Sequence, residues 1–298
     1  MRIISPYTDP QRWLKGNLHT HTTLSDGDGE FEQTLALYEG DNYDFLAVTD
    51  HMQYYDGGRG AFGNMLLLPA QECHIDSESD AFYAHIVSLG PTGDIPHQAT
   101  AQEIIDDINS KGGIAILCHP RWSFMPYDVF DRFEGYAAFE VYNAVCDNAV
   151  ARGFSPDYWD RFMKARRKPV WAVAVDDSHR LGRDFATGWT MVNAEKDPQS
   201  IYDALVRGDA YATCGPRIET IRVDDETITL HTSSASAVKF MGPDGCLDSV
   251  EGEHVKVATY RPTGDELFVR AQVHGHDGAI AWTNPFFIEP QNDQALCV

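Results

Sequence analysis

The stretch "GNLHTHTTLSDGDGE", residues 16–30, places two histidines one residue apart, with an aspartate seven positions after the first. In an extended strand residues i and i+2 project from the same face. His19 and His21 therefore point the same way, about 7 Å apart along the backbone, and can grip one ion. A polar pair on a solvent-facing strand has the same spacing, so the rest of the chain has to decide. Further along, "LAVTDH" carries His51, "LLLPAQECH" Glu72, "FYAHIVSLG" His85, "AILCHP" His119, and "VAVDDSH" both Asp177 and His179. Asp177 and His179 repeat the i, i+2 geometry. A single such group reads as a hydrogen-bonded core residue, but each buried polar or charged group needs a partner. Shared metal ions would satisfy all of them together.

These residues punctuate apolar runs expected to be strands: Leu18–His21, Phe45–Thr49, Leu66–Gln71, His85–Leu89, Ile114–Cys118, Ala138–Tyr142 and Val170–Val175. Helices are expected at Phe31–Glu39, Ala101–Ser110, Tyr158–Arg166 and Pro198–Val206. The clearest is Ala101–Ser110, with Thr100 and Glu103 as a capping box and Gly112-Gly113 as its stop. Alternating strands and helices imply a mostly parallel sheet covered by helices. About seven repeats favour a closed barrel, in which chemistry gathers at the C-terminal strand ends. His85, at the start of its run, is the exception. After "TCGPRIE" (213–219), short alternating runs separated by turn residues replace the helices, the pattern of a small antiparallel β-domain.

The formal charge of −22 opposes a long nucleic-acid partner and an anionic membrane surface. The basic run "RFMKARRK" (161–168) reads as the C-terminal end of a helix, where positive charge suits the dipole. No apolar run is long enough to span a membrane. The opening "MRIISPYTDPQRW" lacks the apolar core of a signal peptide, so a cytoplasmic location is expected. The six cysteines form no CxxC and read as free thiols; Cys73 and Cys118, adjacent to Glu72 and His119, are expected to turn away toward packing. No GxSxG competes for a nucleophile role.

In order, "HTHTTLSDG", "TDH", Glu72 with "AHIVSLG", "CHP" and "DDSH" resemble the PHP (polymerase and histidinol phosphatase) family over about residues 16–213. The tail "RAQVHGHDGAIAWTNPFFI" resembles that of its carbaryl-hydrolase-like branch. The resemblance implies a distorted (β/α)7 TIM-like barrel over residues 1–214, followed by a β-sandwich-like domain over 215–298. It implies two or three divalent ions (Mn²⁺, Zn²⁺ or Fe²⁺). His19, His21, Glu72 and Asp177 would hold one; Glu72 would bridge to a second completed by His85 and His119; Asp26, His51 and His179 match the residues that hold a third.

Asp50, Asp176 and Glu140 read as carboxylates that orient imidazoles, and His74 as a residue of the rim. Three divalent ions against three carboxylates leave about three positive charges, which hydroxide and a phosphate dianion would cancel. The activity implied is hydrolysis of a phosphoester of a small phosphorylated substrate by metal-activated hydroxide. Asp177 or His179 would handle the leaving-group proton, and Arg121, Arg180 and Arg183 would clamp phosphate at the mouth. The glycine-rich stretch 54–65, with Arg59, reads as a candidate cover over the substrate. A hydrolase of an uncharged aryl ester or carbamate is the second reading; a non-catalytic metal-binding regulatory module is the third. Oligomeric state is left open.

Overall fold

A computed structural model describes residues 1–75, 84–95, 100–127, 132–166 and 169–290. His97, Arg167, Lys168 and Cys297 lie outside the described residues. Strand pairing runs in two sheets. One has five strands in the order Trp171–Val175, Ala138–Asn143, Ile114–Leu117, His85–Leu89, Ala70–His74. The first three are parallel, whereas His85–Leu89 runs antiparallel to both of its neighbours. The other sheet, of 13 strands, includes Trp13–Asn17, Phe45–Ala47 and Met65–Leu68, parallel to one another. Pro69 lies between Met65–Leu68 and Ala70–His74. With no N–H to give to a ladder, it marks where the chain passes from one sheet to the other. Single parallel bridges, Thr20 with Ser178 and His51 with Glu72, join the sheets again among the polar residues.

The result is a mixed α/β fold with many strands and five helices among the described residues. It is not a clear (β/α)7 barrel. The antiparallel His85–Leu89 breaks the parallel order, and several strands follow one another without an intervening helix. The first strand also differs from expectation. It runs from Trp13 to Asn17, where Lys15 and Gly16 hide it from a hydrophobicity reading, so His19 and His21 follow the strand. Trp189–Asn193, Ala210–Thr213 and the short helix Ala144–Val150 are further elements that the sequence reading missed.

Local chemistry accounts for the helices it did place. Thr100 Oγ1 accepts the Glu103 N–H at 3.3 Å and Glu103 Oε2 accepts the Thr100 N–H at 2.8 Å, so the capping box is formed. Its buried face is Ala101, Ile104, Ile105 and Ile108. Pro198–Arg207 starts on Asp197, which accepts the Ser200 N–H at 3.0 Å, and ends on Gly208 at φ +78°.

After Arg207 the described residues form strands without helices, including the long pair Ile228–Gly242 and Gly245–Tyr260. The 13-stranded sheet continues through this region: Ala210–Thr213 pairs with Ile280–Thr283, and Arg2–Ile4 with Phe286–Glu289. One apolar cluster, including Leu18, Phe45, Leu68, Val87, Ile116 and Val173, draws on strands of both sheets. No helix among the described residues is long and apolar enough to cross a membrane.

Candidate metal centre

Glu72 is buried at the middle of the polar residues. Its Oε2 lies 3.1 Å from His19 Nε2, 3.1 Å from His21 Nε2 and 3.0 Å from His51 Nδ1. Its Oε1 lies 2.8 Å from His85 Nδ1 and 3.4 Å from His119 Nε2. Asp177 Oδ1 approaches the same two imidazoles, 3.3 Å from His19 Nε2 and 3.1 Å from His21 Nε2. Asp26 completes an outer group, its Oδ2 3.3 Å from His179 Nε2 and 3.7 Å from His51 Nε2. All nine residues expected as ligands from their types and spacing are thus brought together.

Backbone conformation does part of this work. His119 and Asp177 hold φ of +29° and +52°, conformations uncommon for residues with a Cβ and found where surrounding structure enforces them. The Asp26 loop turns tightly on Gly27, where a Cβ would lie 2.7 Å from the His21 carbonyl.

Outer contacts fix the rings. Glu140 Oε1 lies 2.6 Å from His19 Nδ1, while its Oε2 accepts the His119 N–H at 2.8 Å and Asn143 Nδ2 at 2.8 Å. Asn143 Nδ2 also donates to Asp177 Oδ2 at 3.0 Å, tying the two carboxylates together. His119 Nδ1 is 3.0 Å from Ser123 Oγ, and His21 Nδ1 is 3.3 Å from Ser25 Oγ. Glu140 therefore orients an imidazole as expected. Asp50 and Asp176 instead fix loops: Asp50 accepts from Thr22 and Ser25, and Asp176 from the N–H groups of Ala186, Thr187 and Gly188. Burial, partly offset by those donors, raises the Asp176 carboxyl to about 6.

Charge in the cluster follows from proximity. Burial alone would lower the His19 imidazole, but Asp177, Glu72 and Glu140 raise it well above its ordinary value. Burial likewise opposes, and Asp177 and Glu72 outweigh it, at His21, which reaches about 9. The contact with His179 lowers Asp26 to about 2. At His51 burial dominates and lowers the ring to about 4.

Whether the site suits metal ions is tested by its unsatisfied atoms. Glu72 Oε2, Asp177 Oδ1 and His51 Nδ1 are buried without a hydrogen-bond partner, close to other donors yet not aligned with them. Burial of such atoms is costly unless something else meets them. Their separations of 3.0–3.3 Å are near the ~3.4 Å edge of a tetrahedron with 2.1 Å bonds. Donor atoms within 4.8 Å of one another recur as His21, Asp26, His51 and His179; as His19, His21 and Glu72; and as His51, Glu72 and His85. The residues fit divalent metal.

Cys73 and Cys118 both pack into apolar clusters, and the Cys118 thiol also lies within 4.8 Å of ligand atoms of Glu72 and His119. Arg121 pairs with Asp157, and neither it nor Arg180 lines the cavity at the cluster. Arg183 is held by Asp184 at 2.9 Å, and Arg59 pairs with Glu32. Each of these three arginines has a nearby acid: Asp157 and Glu32 are distant in sequence from Arg121 and Arg59, whereas Asp184 adjoins Arg183. The cavity, about 240 Å³, is lined by Asp26, His51, Glu72, His85, His119, Asp177 and His179. Trp122, Val145, Cys146 and Ala149, none of which was anticipated, complete the lining.

Fold and donor cluster together define a mixed α/β protein with a histidine-rich cluster suited to metal. A two-domain protein from Bacteroides vulgatus, described as containing a predicted PHP-like metal-dependent phosphoesterase, shares the fold: TM-score 0.52, 15% identity, covering 96% of this chain and 98% of that one. More distant are a lesion-specific endonuclease from Pyrococcus furiosus (TM-score 0.46, 11% identity, 65% of this chain, 56% of that one) and a candidate metal-dependent phosphoesterase from Bifidobacterium adolescentis (TM-score 0.45, 14% identity, 66% and 98%). Both TM-scores fall below the level that establishes a common fold. No family model matches the sequence, and neither does any curated protein.

Proposed function

We propose that the chain is a metal-dependent hydrolase that cleaves a phosphoester of a small phosphorylated substrate. The observation that carries this reading is the pair of buried, unpartnered oxygens, Glu72 Oε2 and Asp177 Oδ1, ringed by imidazoles. His19, His21, Glu72 and Asp177 would hold one ion, Glu72, His85 and His119 a second, and Asp26, His51 and His179 a third, with Mn²⁺, Zn²⁺ or Fe²⁺ suited to this mixed set. Divalent ions supply, when bound, an activated water and polarisation of the substrate's oxygens.

The chain's own residues do the rest. Glu140 and Asn143 hold His19 and Asp177 in place. With the third position empty, His179 Nε2, partly exposed beside Asp26, would hand a proton to the leaving oxygen; with it filled, that nitrogen is a ligand. Among the described residues no guanidinium lines the cavity, so the charge of a phosphoryl group would fall chiefly to the metal. That same absence favours, as a second reading, an uncharged aryl ester or carbamate.

The test is a metal-replete preparation assayed with 4-nitrophenyl phosphate, bis(4-nitrophenyl) phosphate and 1-naphthyl methylcarbamate. Turnover of a phosphoester, abolished by chelator and restored by Mn²⁺ or Zn²⁺, is expected. Turnover of the carbamate alone would move the assignment to the second reading.

A further inference from the structure

We infer that the group esterified to phosphorus is a single apolar ring or compact hydrocarbon, seated on the wall formed by Trp122, Val145 and Ala149. This deepens the phosphoester reading and rests on it. The cavity is lined by two kinds of group: carboxylates and imidazoles, and with them an indole, an isopropyl group, a thiol and a methyl group. The Trp122 ring stands edge-on to His119, with centroids 4.8 Å apart at 75°, and 5.9 Å from the His85 ring. The indole therefore begins where the donors of the expected second ion end. Val145 and Ala149 lie four apart on the helix Ala144–Val150 and so share one face.

Nothing in this wall recognises a sugar, a base edge or a second phosphate. The lining includes no Lys or Arg. Guanidiniums on the flanking segments are already engaged: Arg121 by Asp157, Arg183 by Asp184, and Arg152 over the Phe124 ring at 4.1 Å.

A second observation points the same way. Leu24, Phe124 and Val150 are 62%, 66% and 47% exposed, and each lies on a segment that also supplies cavity residues. Phe124 is moreover held at φ +50°, an uncommon backbone state for a bulky residue. Exposed apolar side chains gathered on the segments around a cavity mark a surface that takes apolar matter. Size sets the limit. A cavity of ~150 Å³ admits benzene, so about 240 Å³ accommodates one ring beside a phosphoryl group.

The test compares binding of phenylphosphonate and methylphosphonate to the metal-loaded full chain by calorimetry. Phenylphosphonate is expected to bind about tenfold or more tightly, given the apolar area it buries. Trp122→Ala should reduce the ratio to within about threefold. Ala149→Glu, a change at an exposed helical position that leaves the indole in place, should do the same. Methylphosphonate binding with no preference for the phenyl compound would overturn the inference and leave the phosphoester reading intact, as would a preference that survives both substitutions. Failure of both phosphonates to bind protein with measured metal content would overturn both.

Discussion

Glu72 is the residue on which the others converge, because both of its oxygens are shared among five imidazoles. Glu72→Gln keeps the shape and removes the charge, so metal content measured after gel filtration should fall below one ion per chain. Glu140→Gln is milder. It weakens the hold on the His19 ring, and a loss of 10–100-fold in metal affinity is expected from the usual effect of such outer partners. Protons report on the same cluster. In the metal-free protein His21 is raised to about 9, so near neutral pH it carries a proton that ligation must displace. Metal loading should therefore release about one proton from this ring, and affinity should fall as pH drops. Binding enthalpies measured in buffers of different ionisation enthalpy give the count; enthalpies independent of buffer would contradict it.

Strand ends and tight turns decide which of these side chains meet. Gly27 permits the turn that returns Asp26 to His51 and His179, and a Cβ there would press on the His21 backbone. Gly27→Ala is expected to weaken the outermost metal position about tenfold or more, while the ions at Glu72 remain; titration followed by metal analysis distinguishes the two. The donor residues were legible as candidates from type and position at the ends of apolar runs; the resemblance, rather than spacing, divided them among ions, because a solvent-facing polar pair is spaced the same way. The elements beneath them were less so. Lys15 and Gly16 concealed the strand Trp13–Asn17, and Ala144–Val150 is too short to show a helical period, although it supplies the apolar wall. The arginines were misplaced because Asp157 and Glu32 are distant in sequence from Arg121 and Arg59.

Across the whole chain, hydrogen bonding does not divide at residue 214. Ala210–Thr213 takes Ile280–Thr283 as a partner, and Trp282 is buried with Ala212 and Tyr142. Arg2–Ile4 adds to Phe286–Glu289. A chain ending at residue 214 would expose a sheet edge and lose those contacts, so it is expected to be insoluble or to lack a cooperative melt, and the full chain to unfold in one transition. Two separated calorimetric transitions, one matching the isolated fragment, would contradict this. The central claim is that distant segments meet around divalent ions. It is tested most directly by elemental analysis of protein purified without chelator and supplied with Mn²⁺ or Zn²⁺. At least two ions per chain in the wild type, falling below one in Glu72→Gln, is the expected result. Fewer than one per chain in correctly folded wild-type protein would contradict it.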